Sequence, residues 1–147
     1  MKRILVCTDG EDHSTRAEEH AILIAAAFGA SITGLYVRST HLTKFTHEIY
    51  AVGRNECRDH LDAQLAKDGT AALDALGMRC IERGVSYESK MLQGDIAEEI
   101  VKEASESPYD LLVMGTKLLG NWRERIESAN VPLQVFKRAP LPTLFVR

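Results

Sequence analysis

Asp9, His13 and Ser14 stand close together near the start of the chain. They are the side-chain types of a hydrolytic relay, in which a base takes the proton of a serine. Their placement argues against that chemistry. A nucleophile needs its base within hydrogen-bond reach, whereas Ser14 falls in the first turn of a predicted helix, where serines serve as caps. Asp9 itself sits in Thr8-Asp9-Gly10, directly after the apolar run Ile4-Leu5-Val6-Cys7. An aspartate followed by glycine orders a turn. A second apolar run, Leu111-Leu112-Val113-Met114, stops at Gly115-Thr116. Such runs read as buried parallel strands, and ligands of open α/β sheets bind at their C-terminal ends. The two ends are placed to share one pocket.

Other reactive residues point to less. His41, His47 and His60 lie in or near an irregular stretch. They lack the spacing and the carboxylate of a metal site, so no metal is expected. Cys7, Cys57 and Cys80 form no Cys-x-x-Cys pair and read as reduced cytosolic thiols, with Cys7 packed in a core strand. A Ser-Gly-Gly-x-Asp-Ser pyrophosphate loop is absent, since Cys7-Thr8-Asp9-Gly10 lacks paired glycines. Lys117, Arg123, Arg125, Lys137 and Arg138 put positive charge near the pocket mouth and the last helix, and Glu124 and Glu127 offset much of it at helical spacing.

The elements that position these residues alternate. Residues 4–8 form a first strand. Asp12 or Ser14 caps a helix whose face is Ala17, Ala21, Ile24, Ala25 and Phe28, and Gly29 closes it. Ile32 to Val37 is a second strand. Residues 38–56 have no clean period; they cover the crevice with Phe45 and Tyr50 turned inward, or decorate the surface. A long helix runs from about Glu56 to Arg83, its face formed by Leu61, Leu65, Ala72, Leu73, Leu76 and Cys80. Gly69 and Gly77 weaken it by roughly 1 kcal/mol each against alanine. Val85, Tyr87 and Met91 suit an edge strand. Asp95 and Glu98 have capping-box spacing before a helix that buries Ile96, Ile100, Val101 and Ala104 and stops at Pro108. After 111–114, a last helix to about Arg138 precedes the strand Thr143-Leu144-Phe145-Val146. The order β-α-β-α-β-α-β-α-β predicts a doubly wound α/β sheet of five strands with helices on both faces, and the length fits one domain over 1–147.

Composition narrows the function classes. A net charge of -3 gives no electrostatic drive toward nucleic acid or anionic membrane. No apolar run approaches the ~20 residues that span a bilayer. The start Met1-Lys2-Arg3-Ile4 leads into too short an apolar stretch for a signal peptide. A cytoplasmic protein is expected.

Four blocks in order resemble the universal stress protein family: Ile4 to Ser14, Gly94 to Ile100, Asp110 to Gly115, and Ala139 to Val146. The resemblance covers nearly the whole chain except about 38–60. It implies a five-stranded parallel sheet of strand order 3-2-1-4-5. ATP-binding members carry Gly-x-x-Gly, nine residues, then Gly-Ser or Gly-Thr after strand four. Here Gly115 is followed by Leu118 at the second glycine position, with Gly120 two residues later, and Ala129-Asn130 stand in place of Gly-Ser. Pro132, in the first turn of the last helix, removes an N–H that an anion would use, and Trp122 puts an indole where small residues leave room for a triphosphate. The chain therefore resembles the non-ATP-binding branch.

By the same likeness, Asp9 matches the aspartate that contacts ribose and Val37 the backbone that contacts adenine. The implied ligand-contacting set is Thr8, Asp9 and Val37 from the first two strands and Met114, Gly115, Gly120 and Asn130 around the fourth. No cofactor is expected beyond a weakly held adenine nucleotide. The likeness also implies a homodimer through Thr143, Leu144, Phe145 and Val146, as a short apolar strand at a sheet edge invites pairing with a second copy. The expected function is a homodimeric stress-response or regulatory module with unknown protein partners, not an enzyme. The alternative is an ATP- or AMP-binding sensor using the crevice between strands 1 and 4.

Overall fold

The computed structural model describes residues 1–40, 54–117 and 130–147. Five parallel strands, β1 (Arg3–Cys7), β2 (Ser31–Ser39), β3 (Tyr87–Gly94), β4 (Leu111–Gly115) and β5 (Thr143–Val146), form one sheet of order β3-β2-β1-β4-β5. The described helices are α1 (Asp12–Phe28), α2 (Arg54–Glu82), α3 (Ile96–Glu106) and α4 (Asn130–Arg138). This is the expected doubly wound topology.

Strand alternation builds two cores. Ile4, Val6, Ile32 and Val113 point to the face covered by Ala17, Ala21, Ile22 and Ala25 of α1 and Leu76 and Cys80 of α2. Leu5, Cys7, Leu35, Leu112 and Met114 point to the other face, against Ala97, Ile100 and Ala104 of α3 and Val135 of α4. Burial on both faces is why β1 and β4 read as continuous apolar runs.

Several expectations change. β2 runs to Ser39 because β3 offers pairing as far as Gly94. The N-cap of α1 is Glu11, without a side-chain cap bond; neither Asp12 nor Ser14 caps it, because Ser14 is turned toward Asp9. Phe28 is 65% exposed. The chain turns at Gly29 (φ 65°) and puts Ala30, not Phe28, into the core. Glu18 joins the buried stripe instead. In α2, Leu61, Leu65 and Ala72 are only half-buried. Gly69 and Gly77 lie at the tightest contact, where an added Cβ would come within 2.6 Å of the Tyr36 ring and 2.7 Å of the Tyr87 ring. Close approach to two aromatic rings, not helix propensity, explains these glycines. Asp95 caps α3 as expected, accepting from the Glu98 N–H at 3.0 Å.

Candidate functional site

β1 lies between β2 and β4, so the strand order switches direction at its C-terminal end, the place where open α/β sheets form a crevice. A cavity of about 190 Å³ opens there. Its walls come from Cys7, Thr8 and Asp9 after β1, His13 and Ser14 of α1, and Leu35 and Val37 of β2. Ile96 and Ile100 of α3, Met114, Gly115 and Lys117, and Val131 and Pro132 of α4 complete it. A larger opening of about 810 Å³ shares Asp9, Val37 and Ile96 and extends along α2 past Asp68 and Ala72.

The β1–α1 turn is densely hydrogen-bonded. Asp9 Oδ1 accepts from the Ser14 hydroxyl at 2.6 Å and the Glu11 N–H at 2.9 Å. The Asp9 N–H donates to Ser14 Oγ at 3.2 Å. Asp9 Oδ2 faces His13 Nε2 at 3.0 Å, and the Asp9 side chain stays 47% exposed. Asp9 thus orders its turn with one oxygen and meets His13 with the other, and both residues line the crevice. This is not the arrangement of a hydrolytic relay, since the serine hydroxyl donates its hydrogen bond to the carboxylate and the imidazole meets the far oxygen. Glu11 lies 3.6 Å from His13 Nδ1 and 2.6 Å from Lys117 Nζ. Ligand atoms of Asp9, Glu11 and His13 fall within 4.8 Å of one another, with the Lys117 ammonium already paired to that cluster.

The Cys7 thiol is pushed up to about 12 by burial, so it is no thiolate nucleophile at neutral pH. Gly115 has a steric reason of its own. A Cβ there would sit 2.3 Å from the backbone oxygen of His13, so only glycine lets the start of α1 lie against the end of β4.

Of the residues singled out in the sequence, Thr8, Asp9, Val37, Met114 and Gly115 come together around this cavity. Asn130 opens α4, its side chain outside the described residues. Gly120, Trp122 and most of 38–56 also lie outside them. Pro132 falls in the first turn of α4, and with Val131 it gives that wall an apolar lining.

Residues not anticipated are His13, Ile96 and Ile100 in the lining of the smaller cavity and buried Glu18 along the larger opening. Glu18 carried a legible signal, a carboxylate four residues after Ser14 and one after Ala17, on the apolar stripe of α1. A charge at such a position implies a buried partner.

A profile of the Universal stress protein family matches residues 1–147. A universal stress protein of Methanocaldococcus jannaschii is 36% identical over 146 residues, covering 93% of this chain and 82% of that protein. A universal stress protein solved in complex with cAMP superposes with a TM-score of 0.74 at 26% identity, covering 99% of this chain and 97% of that one. An Arabidopsis thaliana family protein solved with AMP bound gives a TM-score of 0.68 at 22% identity over 99% and 91% of the two chains, a likeness of fold. Among the described residues no helix is long and apolar enough to cross a membrane. With the sheet order, the crevice and the full-length profile match in agreement, the chain belongs to the universal stress protein family.

Proposed function

We propose that this protein is a homodimeric, non-catalytic stress-response module whose crevice takes an adenine mononucleotide and not a triphosphate. Asp9 carries the reading. Two local donors fix its Oδ1 and His13 Nε2 meets its Oδ2 at 3.0 Å, and this oriented, half-exposed carboxylate keeps lone-pair capacity for a sugar hydroxyl. Val37 and Ile96 offer apolar surface beside it for a base. The family relatives solved with cAMP and AMP support a nucleotide of this size. Against a polyphosphate stands the α4 wall, which presents Val131 and Pro132, the second without an N–H.

Calorimetry tests this directly. AMP binding should be measurable in the micromolar to millimolar range and lost in Asp9→Ala. Magnesium ATP should bind no tighter than about millimolar, a free energy of about −4 kcal/mol. Micromolar ATP affinity would overturn the triphosphate exclusion, and AMP binding unaffected by Asp9→Ala would overturn the role of Asp9.

The dimer reading rests on β5. It is an edge strand of the sheet and carries no charge from Thr143 to Val146. Phe136 and Leu133 of α4 are 69% and 50% exposed, and Phe136 meets Phe145 at 6.2 Å between ring centres. An apolar edge flanked by exposed aromatic surface favours a second copy. Light scattering should find a dimer that Phe136→Asp converts to a folded monomer; a dimer that survives this change places the interface elsewhere.

A further inference from the structure

We propose that Glu18 is a positioning residue for the crevice, its buried carboxylate setting the orientation of the Thr8-Asp9-Gly10 turn. This inference rests on reading that crevice as the ligand site.

Glu18 is 1% exposed and lies on α1 between Ala17, Ala21 and Ile22, all buried. A carboxylate in such surroundings is strongly disfavoured unless paired and hydrogen-bonded. Two partners reach it from two other elements. The Thr8 hydroxyl, at the end of β1, donates to Glu18 Oε1 at 2.5 Å. The Arg79 guanidinium, from α2, pairs through Nη2 with Glu18 Oε2. A hydroxyl has one proton. With that proton held by Glu18, the Thr8 oxygen is left as an acceptor, and it receives the Gly10 N–H at 3.1 Å.

The chain of contacts therefore runs from α2 through Arg79, Glu18 and Thr8 to the peptide that follows Asp9. Gly10 is the residue that needs this support. It has φ +79°, and an added Cβ would meet the Ala72 Cβ of α2 at 3.3 Å. The peptide joining Asp9 to Gly10 is thus held from beneath by Thr8 and Glu18. Ser14 holds the peptide before it, through the Asp9 N–H.

Stability is not what a buried ion pair supplies best. Replacing such a pair with well-packed apolar side chains is often neutral or stabilising. What apolar side chains cannot supply is the acceptor that turns the Thr8 proton inward and its lone pairs toward Gly10. A positioning role and a packing role therefore predict opposite results for the double variant Glu18→Leu/Arg79→Met.

The test follows three readouts in the intact protein: the melting temperature, hydrogen exchange at the Gly10 amide, and the AMP dissociation constant. The double variant should melt at or above the wild-type temperature. Its Gly10 amide should exchange about tenfold faster and AMP should bind about tenfold more weakly, the loss of one hydrogen bond to a charged group. Thr8→Val should speed Gly10 exchange by a similar factor and add nothing further in the Glu18→Leu/Arg79→Met background, because both changes remove one chain of bonds. Unchanged Gly10 exchange in a folded double variant would overturn the proposal. Should that variant not fold, Glu18→Met, which removes the acceptor while the partly exposed Arg79 head keeps access to water, decides by the same exchange measurement. A wild-type protein that binds no AMP would end the crevice reading while leaving the Gly10 comparison to judge Glu18.

Discussion

The two ends of the sheet use similar residues in different ways. At the N-terminal ends of the strands, charged groups pair with one another. Asp110 Oδ2 accepts the backbone N–H groups of Lys2 and Arg3 at 2.6 and 2.9 Å. Arg3 reaches Glu88 at 2.9 Å and lies over the Tyr109 ring at 4.9 Å. The Tyr109 hydroxyl donates to buried Glu103, which also accepts Lys90 at 2.7 and 2.9 Å and Ser107 at 3.2 Å. At the C-terminal ends, Glu18 is held just as firmly, but its partners lead to the turn of Asp9, a half-exposed residue that lines an opening. A buried carboxylate is therefore no mark of function by itself. What counts is whether the last group in its hydrogen-bonded chain meets protein or open space.

The largest expected effect lies at the crevice end. Gly115→Ala would drive a Cβ into the His13 backbone oxygen. It should lower unfolding free energy by about 3 kcal/mol, the upper range for overpacking, as read by urea denaturation. Wild-type stability in that variant would show that the start of α1 can back away from β4.

Next comes Glu103→Ala at the opposite end. It should cost about 2 kcal/mol, less than a fully buried pair because the Lys90 head reaches water. AMP affinity should stay at the wild-type value, unlike the result expected for the Glu18 variants. A Glu103 variant that loses AMP binding would break the division between the two ends.

A pH profile sharpens the same contrast. Burial alone would raise Glu103, but hydrogen bonds from Lys90 and Tyr109 hold it below its ordinary value of 4.5. A carboxyl lowered in the folded state adds stability that is present above its unfolded value and lost as pH falls through the folded one. Glu103→Gln should therefore flatten the acid limb of a stability curve below about pH 4.5. An unchanged acid limb would assign that limb to other carboxyls.

The smallest effect concerns α2. Gly77→Ala gains helix propensity of roughly 1 kcal/mol but presses on the Tyr87 ring. A net loss of about 1 kcal/mol is expected by thermal denaturation. A gain would mean that the ring moves aside at little cost.

The centre of the sheet was legible in the sequence because β1 and β4 are buried on both faces, so the runs Ile4 to Cys7 and Leu111 to Met114 stand out without any pairing information. The Asp95 cap was legible because it is local. Phe28 was misplaced because helical spacing cannot tell where the chain will turn away from the sheet. Gly69 and Gly77 looked like weak points because their reason lies in Tyr36 and Tyr87, residues distant in sequence. At the crevice, Thr8, Asp9 and Gly115 could be singled out from strand ends alone. Glu18 could not be assigned, because its partners Thr8 and Arg79 come from the end of β1 and from α2 and meet only once the sheet is formed.

The two margins of the sheet are unequal. β3, the opposite edge strand, carries exposed Glu88 and Lys90, and charges on an edge strand resist strand addition. β5 offers no charge between Thr143 and Val146. A copy docking through β5 would occupy the charge-free border of the described sheet, so strand addition would halt at a closed pair.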